Sequence, residues 1–204
     1  MRSPWVVGVS GASGTPYAKA VITGLLDAGE PVDLIVSRAA RLTILDETGL
    51  SFRDAHWAED LATWLGRDIG DTAYWAAGDM AAGPSSGSYR TQGMVVVPAS
   101  TAAVAGLAIG LSKDLLQRAA SVTLKERRPL VVVPRETPLS GSTLRQLVAL
   151  DDAGAVVLPA SPGFYAGASE VQQLVDFVAA KVLDVLGIKH DLITRWTGEL
   201  GQAR

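Results

Sequence analysis

Trp5-Val6-Val7-Gly8-Val9-Ser10-Gly11-Ala12-Ser13-Gly14-Thr15-Pro16 decides the fold of this chain. Its first six residues are a short run rich in β-branched side chains and apolar on both faces, as a strand between two helix layers is. Small residues follow, and Pro16 suits the first turn of a helix, where an N–H is not needed. The same kind of run recurs at Val32–Ser37, Met94–Pro98, Leu130–Pro134 and Ala155–Leu158. Helical patterns lie between the runs: Pro16–Ala28, Ala39–Thr48, His56–Leu65, Ala102–Ile109, Lys113–Lys125, Leu144–Asp152 and Ser169–Leu186, with Gly29 and Gly187 as stops. Such alternation predicts an α/β fold, a mostly parallel sheet wrapped by helices.

The chain has 204 residues, enough for a single domain that buries about 70% of its unfolded surface. A hydrophobic content of 48% excludes a disordered protein. With no cysteine, disulfides, thiolate nucleophiles and thiolate metal sites are excluded, and two histidines, His56 and His190, argue against a zinc enzyme. Both histidines read as surface or satisfied residues. A net charge of −3 gives no general reason to expect nucleic acid or membrane. The first apolar run is shorter than the roughly seven residues of a secretory signal, and no run reaches the roughly 18 of a membrane span. A cytoplasmic enzyme using Ser, Glu, Lys, Arg, Tyr or a cofactor is the expectation. Gly78–Gly93, with Pro84, Ser85, Ser86, Gly87 and Ser88, reads as an ordered loop rather than a domain boundary.

Ligands of open parallel sheets bind at the carboxyl ends of the strands. In this chain those ends carry Ser10–Gly14, Ser37-Arg38, Pro98–Thr101, Pro134–Glu136 and Pro159–Tyr165, a concentration of small, hydroxyl and charged residues. The glycine loop permits close approach of an anion to a helix N-terminus. It is neither a P-loop nor Gly-x-Gly-x-x-Gly, and Asp33 falls at the start of its strand, so a dinucleotide is poorly supported. Arg135 can grip a phosphate and Glu136 beside it can handle protons, with structural ion pairing as the competing reading. Lys125, with Arg118 seven residues earlier on one helical face, can point at a phosphate, while Arg127 and Arg128 read as a solvated turn.

Taken together, these pieces resemble the UbiX flavin prenyltransferase family. The matching stretches are Val7–Gly14, Ser37–Ala40, Glu47-Thr48, Ser85–Ser88, Pro98–Thr101, Arg118–Ala120, Leu124–Leu139, Gly154–Val157, Pro162–Tyr165 and Arg195-Trp196. The resemblance implies a single-domain, Rossmann-like or flavodoxin-like three-layer fold. It implies transfer of a dimethylallyl group from dimethylallyl phosphate to N5 and C6 of reduced FMN, without a metal. The product, prenylated FMN, goes to a UbiD-type decarboxylase. Residues 1–187 would form the flavoprotein domain, and 188–204 a tail closing the site or a subunit interface. The family's assembly is commonly a homododecamer with sites between subunits.

Carried over by position, Gly11, Ala12, Ser13, Ser37, Ser100, Thr101 and Arg135 hold FMN, with Ala102 and Ala103 contributing backbone N–H groups. Tyr165, Lys181, Lys125, Arg118 and again Arg135 bind the prenyl phosphate, the loop of Ser86 and Gly87 covers it, and Tyr165 and Trp196 face the allyl cation. Glu136, Glu47 and Ser13 are the catalytic set, moving protons to the leaving phosphate and around N5 and C6. Arg118, Lys125, Arg135 and Lys181 are expected to gather into one cationic pocket. Three departures stand out: Lys181 replaces a frequent Arg, Ala102-Ala103 replace polar residues, and Lys113-Asp114 replace an Asp/Asn-Asn pair. The alternatives are an FMN-dependent oxidative decarboxylase of the cysteine-decarboxylase type and a non-catalytic flavin-binding oligomer. Against the former, Pro98-Ala99-Ser100 lacks the Asn and Thr of that group's signature.

Overall fold

A computed structural model describes residues 2–164, 168–195 and 198. Strand β1 (Trp5–Val9) is fully buried and pairs in parallel with β2 (Val32–Val36) on one side and β4 (Gly93–Ala99) on the other. From this centre the sheet grows outward in the order β3-β2-β1-β4-β5-β6, all parallel, with β3 at Thr72–Ala76, β5 at Leu130–Pro134 and β6 at Val156–Val157. The order reverses direction between β1 and β4, which opens a crevice at their carboxyl ends.

Helices cover both faces. Helix α1 (Thr15–Asp27), α3 (Trp57–Leu65) and α7 (Val171–Leu186) pack with Val7, Val9, Leu34 and Val36 into one core. On the other face α4 (Thr101–Ala108), α5 (Leu115–Lys125) and α6 (Gly141–Asp152) pack with Val6, Ile35, Met94, Val96 and Val132. Val6 and Val7 thus belong to different cores, as the two-residue period of a strand requires. Helix α2 (Arg38–Thr48) buries Ala40 and Ile44.

The expected strands are all present, and the sheet is wholly parallel among the described residues. One strand was not anticipated: β3, an edge strand with no fully buried residue. Helix starts differ from expectation by one to three residues, and at α5 and α6 capping side chains fix them. Asp114 accepts Gln117 N–H at 3.0 Å, so α5 begins at Leu115, and Ser140 accepts Thr143 N–H at 3.1 Å, so α6 begins at Gly141. The loop at 78–92 is ordered around a short 3-10 turn, Gly83–Ser85, with Ala82 and Pro84 buried.

Candidate functional site

The glycine loop leaves β1 through two constrained positions. A Cβ on Gly11 would lie 2.4 Å from the Ala39 Cβ, so only glycine lets the loop touch the first turn of α2. Gly14 has φ 112, a left-handed conformation suited to glycine. It caps α1 without a side chain, and Glu47 from the end of α2 supplies the missing acceptor. Its carboxylate accepts Gly14 N–H and Thr15 N–H, each at 2.8 Å, and the Thr15 hydroxyl at 2.6 Å. Burial raises the Glu47 pKa, but hydrogen bonds from Thr15, Ser13 and the two backbone N–H groups outweigh it and hold the carboxyl below its ordinary value. Two residues expected in catalysis, Ser13 and Glu47, are therefore in contact.

Ser37 and Ser100 cap α2 and α4, accepting Ala40 N–H at 3.1 Å and Ala103 N–H at 3.2 Å. A capping serine uses an oxygen lone pair, which leaves its O–H to donate to a ligand. Ser10, buried behind them, ties the two strand ends together. Its hydroxyl donates to Pro98 O at 2.8 Å and accepts Ser100 N–H at 2.7 Å. Together Ser10, Gly11, Ser37, Ser100, Ala102 and Ala103 line a cleft of about 630 Å³ at the carboxyl edge of the sheet.

Arg38, Lys113 and Asp114 line the same cleft. Neither cation has an ion-pair partner among the described residues, and Asp114 is engaged as a helix cap. Sequence reading placed Arg38 at a strand end without giving it a role, and treated Lys113 only as a departure because the turn that brings Lys113 to the cleft is a long-range contact. Arg135 leaves the end of β5 with its side chain beside the glycine loop, its Cγ 3.7 Å from where a Gly14 Cβ would stand. The Arg135 Nε is buried without a partner among the described residues, and Tyr17 lies close enough for the guanidinium to oppose the burial that raises the Tyr17 pKa. Glu136 follows it, exposed, and accepts Thr137 N–H at 3.0 Å. A glycine approach, hydroxyl donors and an orphaned guanidinium N–H together fit a phosphate-bearing planar ligand.

The remaining expected residues lie elsewhere on the chain. Lys125 ends α5 at the amino edge of the sheet, paired with Glu126 and against Gly87. Arg118 donates to Ser85 O at 2.9 Å from the first turn of α5. Lys181 sits on α7, on the opposite face, 3.4 Å from Asp184. The four cations therefore do not share one pocket within a single chain, since β5 alone separates the Lys125 end from Arg135 by about 17 Å. Arg128 is no solvated turn residue: it donates three hydrogen bonds to the 87–91 loop. His190 is satisfied and nearly buried, donating from Nε2 to Asp184 while its Nδ1 accepts Leu192 N–H. His56 remains half-exposed beside Glu59. Tyr165 and Trp196 lie outside the described residues. No group of histidine or carboxylate side chains among the described residues is arranged to hold a metal.

Residues 1–183 match the family model described as Flavoprotein, and fold and cleft define a Rossmann-like flavoprotein. The chain is 68% identical to the flavin prenyltransferase UbiX of Streptomyces coelicolor over 98% of both chains. Its structure matches that of AnUbiX (PadA1) in complex with FMN and dimethylallyl pyrophosphate, with a TM-score of 0.88, 35% identity, and coverage of 98% of this chain and 100% of that one. A dodecameric FMN-dependent UbiX-like decarboxylase from Escherichia coli O157:H7 matches at 38% identity and a TM-score of 0.85, covering 96% of this chain and 100% of that one. The chain belongs to the flavin prenyltransferase UbiX family. A cysteine decarboxylase, TvaF, shares the fold alone, at 16% identity and a TM-score of 0.61 over 92% of this chain and 99% of that one.

Proposed function

We propose that this enzyme joins the dimethylallyl group of dimethylallyl phosphate to N5 and C6 of reduced FMN, yielding prenylated FMN for a UbiD-type decarboxylase. The observation that carries the reading is the cleft at the carboxyl edge, lined by Gly11 and two capping serines, with Arg135 and its unpartnered Nε beside the glycine loop at Gly14. Reduced FMN, when bound there, supplies the nucleophilic ring positions. Gly11, Ala12, Ser13, Ser37, Ser100 and Thr101 hold the flavin through N–H groups and hydroxyls, and Lys113 offers an ammonium where Ala102 and Ala103 offer no hydroxyl.

Ionisation breaks the C1–O bond of the prenyl donor and sends a phosphate away, so cations are needed at the leaving oxygen. Arg135 serves there from within the chain, and Glu136 beside it delivers a proton. Lys125, Arg118, Ser86, Gly87 and Lys181 reach the donor from neighbouring copies in a homo-oligomer, for which a dodecamer is the proposed state. Leu42 and Ile109, 69% and 74% exposed, are large apolar side chains that such packing would cover. Tyr165 and Trp196 complete the prenyl side. Ser13 and Glu47, already hydrogen-bonded, move protons as the second bond closes. A cytoplasmic setting belongs to the same proposal and is checked by fractionation.

Anaerobic incubation with reduced FMN and dimethylallyl phosphate should raise the flavin mass by one prenyl unit, and Glu136→Ala should slow that conversion severely. Unchanged conversion by Glu136→Ala would remove Glu136 from the mechanism. Oxidation of a C-terminal cysteine peptide with FMN reduction would replace the whole reading.

A further inference from the structure

The loop over residues 83–91 is rich in Gly and Ser and forms no strand, yet its backbone is pinned from two sides. Arg118 Nε holds Ser85 O at 2.9 Å. Arg128 Nη2 holds Gly87 O at 2.9 Å, and its Nη1 holds Tyr89 O at 2.9 Å and Thr91 Oγ1 at 3.1 Å. The carbonyls of three alternate residues thus turn toward α5 and the turn behind it. Beyond the loop, the Tyr89 ring meets Trp75 of β3 edge-on at 6.4 Å, and both side chains face the buried Asp33.

The turn that carries Arg128 is itself specialised. Arg127 adopts φ 56, the left-handed region that non-glycine residues avoid, and so closes α5. Its N–H reaches Leu124 O, and the Arg128 N–H reaches Thr123 O, both at 3.0 Å. With the loop carbonyls directed inward, the Gly87 N–H has no partner among the described residues. It stands beside the Ser86 and Ser88 hydroxyls, which are 2.9 Å apart. Lys125 is close too, since a Cβ on Gly87 would lie 2.6 Å from its Nζ, and the Glu126 carboxylate, paired with that ammonium, lies nearer still and holds the place a phosphate oxygen would take. An N–H, hydroxyls and an ammonium in one place are a donor array for a phosphate.

We propose that Arg128 is a positioning residue for the prenyl phosphate: its fork fixes the Gly87 and Tyr89 carbonyls, and that fixes the array formed by Ser86, Gly87 and Lys125. The inference rests on the prenyltransferase reading above. A lysine would not replace it, because a point charge cannot span carbonyls two residues apart as a planar guanidinium does. The flavin cleft lies at the other edge of the sheet, so the effect should fall on one substrate only.

The test compares Arg128→Ala, Arg128→Lys and Arg127→Gly with the wild type. Three quantities are measured: the KM for dimethylallyl phosphate, the Kd for FMN by fluorescence quenching, and amide hydrogen exchange over residues 86–90. Both Arg128 variants should raise that KM about tenfold, the equivalent of one charge-assisted hydrogen bond, with kcat and the FMN Kd within about twofold. Exchange at 86–90 should quicken in both. Arg127→Gly keeps the hydrogen bonds and relieves the left-handed residue, so its KM should match the wild type. An unchanged KM in Arg128→Ala, or equal losses of both ligands, overturns the positioning role. Unchanged exchange overturns the clamp, whereas a wild type that transfers no prenyl group overturns the reading beneath it.

Discussion

Glu47 offers the sharpest test of how this site is built, because one carboxylate serves as a helix cap and is proposed to move protons. Helix α1 begins at a glycine that contributes no side-chain cap, and Glu47 accepts from Gly14 N–H, Thr15 N–H and the Thr15 hydroxyl. Removing such a cap costs about 1–2 kcal/mol. The carboxylate is partly solvated and so screened, which places Glu47→Ala near the lower end, about 1 kcal/mol. For a domain of this size that is a fall in Tm of about 2–4 °C. Glu47→Gln keeps one accepting oxygen but turns an NH2 toward a donor, and should lose roughly half as much.

The pH dependence has a defined sign. Because the folded-state pKa is below the ordinary 4.5, the cap's contribution is complete above that value and is lost as pH falls through the lower, folded-state value. Thermal unfolding followed by circular dichroism from pH 7 down to pH 3 should therefore show the wild type and Glu47→Ala converging in acid. A gap that is absent at neutral pH, or that persists undiminished in acid, would refute the capping argument. Prenyl transfer separates the second role: Glu47→Gln should lose most of its turnover despite its small change in Tm. Wild-type turnover in that variant would leave Glu47 as a cap alone.

Ser10→Ala should destabilise the protein by about 2 kcal/mol in urea titration, because it leaves the Ser100 N–H without its buried acceptor, and it should weaken FMN binding by loosening the start of α4. Asp184 is pulled down to about 2 chiefly by Arg195, against burial, with His190 and Lys181 adding to the effect. Asp184→Asn should therefore speed proteolytic cleavage within residues 188–195 at neutral pH, and the wild type should gain the same sensitivity only as the pH falls from about 4 toward 2.

Most of the fold was legible because its strands are buried on both faces and so read as unbroken β-branched runs. Strand β3 escaped for the converse reason. In Thr72-Ala73-Tyr74-Trp75-Ala76 the only β-branched residue is Thr72, and the strand lies at an edge. Its signal was the aromatic pair: Tyr74 stacks on Trp57 at 5.8 Å while Trp75 meets Tyr89 on the other face, the alternation of a strand. In the site, the strand-end rule found Gly11, Ser37, Ser100 and Arg135, whose positions follow from chain order. It could not find Lys113, Arg128 or Asp184, whose roles depend on which distant backbone or side chain they meet. A charged turn such as Lys125–Arg128 looks the same in sequence whether it faces water or clamps a loop.

The separation of the cations leads to a last prediction about how the site is shared. Lys125 and Arg135 flank opposite ends of β5, so within one chain they cannot hold one small phosphate between them. If both act on the same prenyl donor, each site takes Lys125 from one copy and Arg135 from another. Lys125→Ala and Arg135→Ala should then each be inactive as a pure assembly. When the two are unfolded and refolded together at equal concentration, random mixing gives about one quarter of sites an intact residue of each kind. Prenyl transfer should accordingly recover to about a quarter of the wild-type rate, because a shared site at a symmetric interface draws its two residues independently. Sites made within single chains would recover nothing, since every chain in the mixture carries one lesion. Mass spectrometry of the product flavin, with native mass spectrometry to verify exchange of subunits, distinguishes the two outcomes. No recovery in verified mixed assemblies would mean that the loop beside Lys125 serves something other than the donor bound at Arg135.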